Sequence, residues 1–425
     1  MRLHKEVFSL DKTVFAKDLI VDGNVGPNNN ILVLGGTGTG KTISCLLPTL
    51  YNTEESSFIA TFAKKTLVQN AVAYFKKRGY KTFFWNLSNP EESDRLPDLL
   101  QYAVSENDTQ ELARQIVRSN QDYCTAHNFD PYWLDAAETL LTGLMEYEKL
   151  TKHFPKMKRV IDTFYKLEVV QDGYSIVTSM EEAFQDLKMR YPNSLAAKKL
   201  LSFKMLPYRT AACVRDSLEK SIQTAFPTSI QNAMNENSYV DFEKFATEKT
   251  AIFILTSPTR VSQYAFSNII FNIAIRSLLE FAEKQPGNKL PRPVKLYFDD
   301  FSCGFPISNF DKTISTFREA GISAVMNCQS LSQLYDTYGA DKAHTIQDNC
   351  SSMVYFPGGL NRKTAMLISE MSNLPIEDVL FCPVGKAFVF RSGEKPIFIP
   401  RFETFKDPLY REFMNSQKSI DEIIA

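Results

Sequence analysis

Apolar residues in the first hundred positions come in short solid blocks, separated by polar turns or by stretches with a helical period. Ile31–Leu34 follows the polar turn "NNN" (28–30), and "SFIAT" (57–61) and "YKTFFWNL" (80–87) are further blocks rich in β-branched and aromatic residues. Between the last two, "LVQNAVAYFKKRG" keeps a helical period that stops at Gly79. Solid blocks alternating with helical stretches predict a parallel sheet covered on both faces, the doubly wound α/β arrangement. After Thr42, the residues Ile43, Leu46, Leu47 and Leu50 recur at helical spacing, although Pro48 limits a regular helix there.

The pattern changes between about residues 100 and 245, where strand signals nearly vanish. In "PYWLDAAETLLTGLMEYEKL", Trp133, Ala137, Leu140, Leu141, Leu144 and Tyr147 share one helical face, and Pro131 precedes the first turn. "SIVTSMEEAFQDLKMRY", "SLAAKKLLSF" and "TAACVRDSLEKSIQTAF" predict further helices. Strand blocks return with "KTAIFILTS" (249–257) and continue through "PVKLYFDDF", "GISAVMNCQ", "SSMVYFPGG", "KAFVFRS" and "KPIFIPRF". The expected division is therefore a first part of an α/β domain (1–98), an all-α insertion (99–246), the second part of the α/β domain (247–412) and a loose tail (413–425).

Composition narrows the function classes. With 425 residues, 44% of them hydrophobic, the chain can bury a substantial core. Forty-eight Lys plus Arg against 49 Asp plus Glu leave no global field to draw the chain onto nucleic acid or an anionic membrane. Seven scattered cysteines with no Cys-x-x-Cys pair predict neither a disulfide framework nor a zinc site, and point to a reducing, cytosolic compartment. "MRLHKEVFSLDKTVFAKDL" has no apolar h-region, and the most apolar long stretch, 251–281, is interrupted by Pro258, Arg260, Gln263, Asn268, Asn272 and Arg276.

The chemistry enters at the first strand block. "GGTGTGKT", Gly35, Gly36, Thr37, Gly38, Thr39, Gly40, Lys41 and Thr42, fits the phosphate-binding pattern G-x-x-x-x-G-K-[ST]. Glycines let backbone N–H groups turn inward around phosphate oxygens, Lys41 neutralises the β and γ phosphates of ATP, and the Thr42 hydroxyl ligates Mg²⁺. The bland alternative is a glycine-rich turn with an incidental lysine, which does not account for the strand before it. A phosphate loop also needs a carboxylate on a neighbouring strand. "VKLYFDD" ends in Asp299, a candidate for the Mg²⁺ shell, and Asp300, a candidate for activating water. Without the loop, such a pair is ordinary strand-end chemistry. Gln329, just past the block 322–328, stands where it could sense the γ-phosphate or simply cap a helix. Arg318, on a predicted surface helix, either lies along the surface in solvent or, in a ring, reaches a neighbouring subunit's nucleotide.

These motifs, in this order, resemble the type IV coupling proteins, the VirD/TraG-like ATPases of conjugative type IV secretion. The resemblance spans about residues 25–412 and rests on "NNNILVLGGTGTGKT", "GYKTFFWNL", "DPYWLDAAETLLTGLMEY", "TAIFILTSP", "LPRPVKLYFDDF", "STFREAGISAVMNCQSLSQL", "DNCSSMVYFPGG" and "GKAFVFRSGEKPIF". It implies a RecA-like P-loop domain with a helical insertion, a hexameric ring and DNA passing through its pore. It also implies nucleotide roles for Lys41 and Thr42, the metal-shell role for Asp299, a trans-acting arginine finger at Arg318 and a phosphate-sensing glutamine at Gln329. The chain departs from the pattern in lacking the two transmembrane helices with which the family usually begins. It also has Asp300 where the family has Glu, and "FAKKTL" where Asp-Pro-Lys-Gly-Glu is common.

Two functions from different classes follow. One is an ATPase motor acting on DNA, single- or double-stranded, or on a relaxase–DNA complex, cytoplasmic and docking on a membrane-anchored secretion partner. The other is an ATP-switched adaptor with weak or no hydrolysis, recruiting a relaxase or effector. A soluble motor in a different pathway would use the same chemistry as the first.

Overall fold

The computed structural model describes residues 11–23, 26–94, 96–119, 130–172, 175–235, 238–257, 260 and 262–424. An N-terminal hairpin, β1 (Lys12–Ala16) and β2 (Leu19–Asp22), leads into β3 (Ile31–Leu34), β4 (Ser57–Phe62) and β5 (Lys81–Asn86). The stretch that follows is mostly helical. It carries two minor pairings, β6 (Leu96–Pro97) with β9 (Met234–Asn235) and β7 (Val169–Asp172) with β8 (Ser175–Thr178). The chain then returns as β10 (Thr250–Leu255), β11 (Val294–Phe298), β12 (Ile322–Cys328), β13 (Ser352–Tyr355), β14 (Lys386–Arg391) and β15 (Ile397–Pro400).

Nine of these strands form one sheet in the order β15-β14-β13-β3-β12-β11-β4-β10-β5. The seven strands from β13 to β5 run parallel, and β14 and β15 close one edge antiparallel. Alternation along β3 explains the solid apolar blocks. Leu32 and Leu34 join a core shared with the helices of the middle segment, while Ile31 and Val33 join a second core with Phe58, Ala60, Phe253 and Tyr297. Both faces are covered, so every position in the strand is apolar.

Several expectations are corrected. "SIVTSMEEAFQDLKMRY" begins as β8 of a hairpin, and its helix starts only at Glu181. The chain's end is not loose. Pro408–Ile424 is a helix packed along Lys65–Lys77, with Phe413 fully buried against Tyr74 at 5.4 Å between ring centroids. The apolar stretch near 251–281 contains the helix Ser262–Glu283, whose most apolar 18 residues have a mean hydropathy of 1.3, so that by length and composition it could cross a membrane. That helix lies instead in the protein core, with Phe271 4.6 Å from Phe298 and Phe266 6.1 Å from Phe226. Finally, the strand bearing Asp299 is not adjacent to β3, because β12 lies between them.

The N-terminal hairpin, which the periodicity did not reveal, is fastened to the sheet by Asp11. Its carboxylate accepts from the N–H groups of Glu54 and Glu55, both at 2.7 Å, and from the Ser56 hydroxyl, and pairs with Lys295 at 3.0 Å. Burial alone would raise the Asp11 carboxyl. Lys295 and the hydrogen bonds outweigh it and hold the carboxyl well below the usual carboxylate range. Because the folded value is depressed, the stabilisation is fully present above the unfolded carboxylate pKa of about 3.9 and is lost as pH falls through the folded value. Asp11→Ala, which strands Lys295 and two N–H donors, should cost about 3–5 kcal/mol in urea unfolding at pH 7. The gap between variant and wild type should narrow on acidification.

Candidate functional site

The C-terminal ends of β3, β12 and β11 converge on one edge of the sheet, and the predicted residues follow those ends. Leu34 leads directly into Gly35, which takes φ +155°; a Cβ there would lie 2.7 Å from the Phe356 carbonyl oxygen and from Thr39 Oγ1. Gly40, at φ +105°, is crowded by Arg401, whose Nη1 would stand 2.6 Å from an added Cβ. Thr37 and Gly38 form the exposed tip of the loop, and the Thr39 hydroxyl donates back to the Gly36 carbonyl at 2.8 Å. Helix then starts at Lys41 with a π turn, Thr42–Leu46, and becomes regular at Leu47. Pro48, lacking an N–H, sits in the first turn of the regular part, so the irregularity anticipated from Pro48 falls just before it.

Lys41 is buried and its ammonium donates to the carbonyls of Gly35 (2.5 Å) and Gly36 (3.1 Å), which aims it across the mouth of the loop. Burial lowers its pKa, opposed by Asp300 and Asp299. The Thr42 hydroxyl donates to Asp299 Oδ1, and Asn327 Nδ2 on β12 donates to the same oxygen at 3.3 Å. Thr61 on β4 receives the Asp299 N–H at 3.2 Å. Burial raises the Asp299 carboxyl against the pull of Thr42, Asn327, Lys41 and Lys64. Asp300 is pushed up to about 6 by burial and by the neighbouring Asp299, with Lys41 and a hydrogen bond from Gln329 opposing. Lys41, Thr42, Asp299, Asp300 and Gln329 are thus brought together.

Arg318 is not among them. It is exposed on the helical turn Phe317–Ala320, before β12 begins, whereas Gln329 follows β12. Seven strand residues at roughly 3.3 Å each separate the two ends by about 20 Å. Among the described residues no carboxylate forms an ion pair with Arg318.

Residues that hold Mg²⁺ in a phosphate loop must present hard oxygen donors and leave room for water. Thr42 Oγ1 and Asp299 Oδ1 already converge, and Asn327 Oδ1, fully buried beside them, has no hydrogen-bond partner. That acceptor suits a water in the ion's shell, so the donor set fits. No group of three or more His, Cys, Asp or Glu able to hold a metal occurs among the described residues, so the ion would be shared with the nucleotide's phosphates.

Sequence reasoning missed Asn327, Thr61 and Arg401. Asn327 carried one signal: it is a polar residue one position before the end of a mostly apolar parallel strand. Arg401 carried none, because its Nη1 reaches the Thr39 carbonyl (3.1 Å) only through the return of β15 to the same sheet edge.

A protein-family model described as type IV secretory system conjugative DNA transfer matches residues 3–372. No curated protein sequence matches the chain. Among solved structures, the bacterial conjugative coupling protein TrwBdeltaN70, unbound monoclinic form, aligns with a TM-score of 0.66 at 17% identity, covering 92% of this chain and 89% of that one. The plasmid coupling protein TrwB in complex with the ATP analogue ADPNP aligns at 0.63 and 16% identity, covering 89% and 87%. VirB4 of Thermoanaerobacter pseudethanolicus aligns at 0.58 and 12%, covering 97% and 100%. At these identities the likeness is one of fold, the RecA-like P-loop sheet with inserted helices.

Proposed function

We propose, for a chain that belongs to the type IV secretory system conjugative DNA transfer family, that it is an ATP-hydrolysing motor of the coupling-protein type. It would act on DNA or a relaxase–DNA complex as a hexameric ring, cytoplasmic and held at the inner face of the membrane by an anchored partner. Residues 1–98 and 247–412 would form the motor and 99–246 the inserted helical domain. The observation that carries this reading is the convergence of Lys41, Thr42, Asp299, Asp300 and Gln329 at the ends of three strands.

In this reading Lys41 and backbone N–H groups of the loop 35–42 would bind the phosphates, and Thr42 and Asp299 would hold Mg²⁺. Mg²⁺, when bound, screens the phosphate charge and favours the attack. Asp300 accepts the proton of the attacking water, and the raised pKa of its carboxyl suits a base that must let the proton go again. Gln329, bonded to Asp300, fixes the carboxylate's orientation. Arg318, distant from its own site, is left for a neighbour's.

The shorter reach of Asp300 and its existing bond to Gln329 favour a second reading, the ATP-switched adaptor. Steady-state ATPase rates with and without single- and double-stranded DNA separate the two. A motor hydrolyses ATP faster than Lys41→Ala and is stimulated by one form of DNA, with Asp300→Asn lowering the rate at least about a hundredfold. If reach is limiting, Asp300→Glu raises the rate. Wild-type turnover no faster than Lys41→Ala under every condition would leave the adaptor.

A further inference from the structure

The sheet register places a second group of residues beside the phosphate loop, on the side away from the carboxylates. Tyr355 at the end of β13 is opposite Phe388 on β14, and Lys386 at the start of β14 is opposite Pro400 at the end of β15. Gly385 and Arg401 therefore stand at the same edge of the sheet as Gly35, with β3 between them and the Asp299 strand. From there the strap 401–406 is clasped to the loop at two points. Arg401 Nη1 donates to the Thr39 carbonyl at 3.1 Å, and the Thr404 hydroxyl donates to the carbonyl of Ile43. The two contacts flank Lys41 and Thr42. Between strap and loop is a cavity of about 290 Å³, lined among others by Ile43, Ser44, Gly385, Arg401, Phe402 and Phe405.

A nucleotide threaded through this loop has a fixed direction. Its terminal phosphate must face Asp299, Asp300 and Gln329, so its sugar and base must leave on the opposite side, past the first turn after Thr42. That exit is where Ile43 and Ser44 open into the cavity. Phe405, 66% exposed on the cavity's wall, is an aromatic ring that the fold itself does not bury. We propose that the strap 401–406 is the base-binding wall of the nucleotide site, with Phe405 as the ring on which a purine stacks and Arg401 as the positioning residue that holds the strap to the loop. This inference rests on the nucleotide-site reading above and adds where the base goes. Of the charged residues lining the cavity, Lys17, Glu403 and Lys406 pair with one another at 3.8 and 2.7 Å, and Arg401 is bonded to the Thr39 carbonyl. Contact with the base is thus through the ring's face, and adenine and guanine nucleotides should bind with similar affinity.

The test uses the full chain and two probes, ATP and inorganic tripolyphosphate, each titrated against a fluorescent ATP derivative. Phe405→Ala should weaken ATP about tenfold, in line with the loss of one base–aromatic stack, and leave tripolyphosphate unchanged. Phe405→Trp should restore ATP affinity and show indole quenching on adding ATP or GTP but not tripolyphosphate. Unchanged ATP affinity in Phe405→Ala, or equal weakening of both probes, overturns the base-wall assignment. Lys41→Ala should weaken both probes. If it weakens neither, the phosphate-site reading fails first, an outcome distinct from loss of base contact alone.

Discussion

Lys41→Ala should reduce ATP turnover by at least about a hundredfold and remove measurable tripolyphosphate binding, while the protein stays folded. The reason lies in what surrounds the ammonium. It is buried, bonded to the carbonyls of Gly35 and Gly36, and opposes the rise that burial imposes on both the Asp299 and the Asp300 carboxyl. On the proposed reading, removing it deletes the charge that would meet the phosphates and leaves two half-buried neighbouring carboxylates with less compensation. Both then gain a stronger tendency to protonate, which would disable the proposed metal ligand and the proposed base together. Lys41→Arg should fail nearly as badly, because the bulkier planar guanidinium cannot place its donors on both loop carbonyls as the compact ammonium does. Phosphate release and probe binding, with a circular-dichroism melt as the folding control, check this. Turnover in Lys41→Ala within threefold of wild type would remove the loop from the chemistry.

The second large effect belongs to Arg318. Its distance from Gln329 along β12 makes it useless to its own nucleotide, so its substitution should matter only in the assembly. Arg318→Ala is expected to bind ATP normally and to lose about 10³-fold or more in turnover, as removal of a trans-acting arginine does. Mixing supplies the decisive arm. Arg318→Ala subunits retain Asp300 and lack the arginine, and Asp300→Asn subunits retain the arginine and lack the base. A mixture of the two inactive proteins should regain part of the activity, because some interfaces then pair an intact Asp300 with an intact Arg318. No recovery, together with a mass that stays monomeric in ATP at all concentrations, would remove the role given to Arg318.

How much of this was readable from the chain depends on whether a feature is local. The phosphate-loop motif is a run of eight consecutive residues whose backbone angles and functional groups belong together, so its pattern survives as text. The strands of the large sheet were legible for a similar reason: the parallel ones, covered on both faces, are nearly solid apolar blocks such as "TAIFIL" and "ISAVMNC". Errors fell where local pattern and tertiary context disagree. Ser175–Thr178 sits next to a helical period and was absorbed into it, and the final helix has too few apolar residues to declare itself until Phe413 meets Tyr51 and Tyr74.

By itself the sequence determined that a phosphate-loop motif follows a buried strand, that carboxylates end a second strand, and that helices interrupt a doubly wound sheet. Those properties depend on neighbours a few residues apart, through φ, hydrophobic period and residue chemistry. Only the tertiary structure decided that β12 separates the loop from Asp299, that Asn327 and Thr61 support that carboxylate, and that Arg401 returns over 360 residues later to hold Thr39. Strand order and the direction of the two edge strands set those contacts. They come from how faces pack against one another, and two segments that meet across a sheet leave no joint mark in either one's sequence.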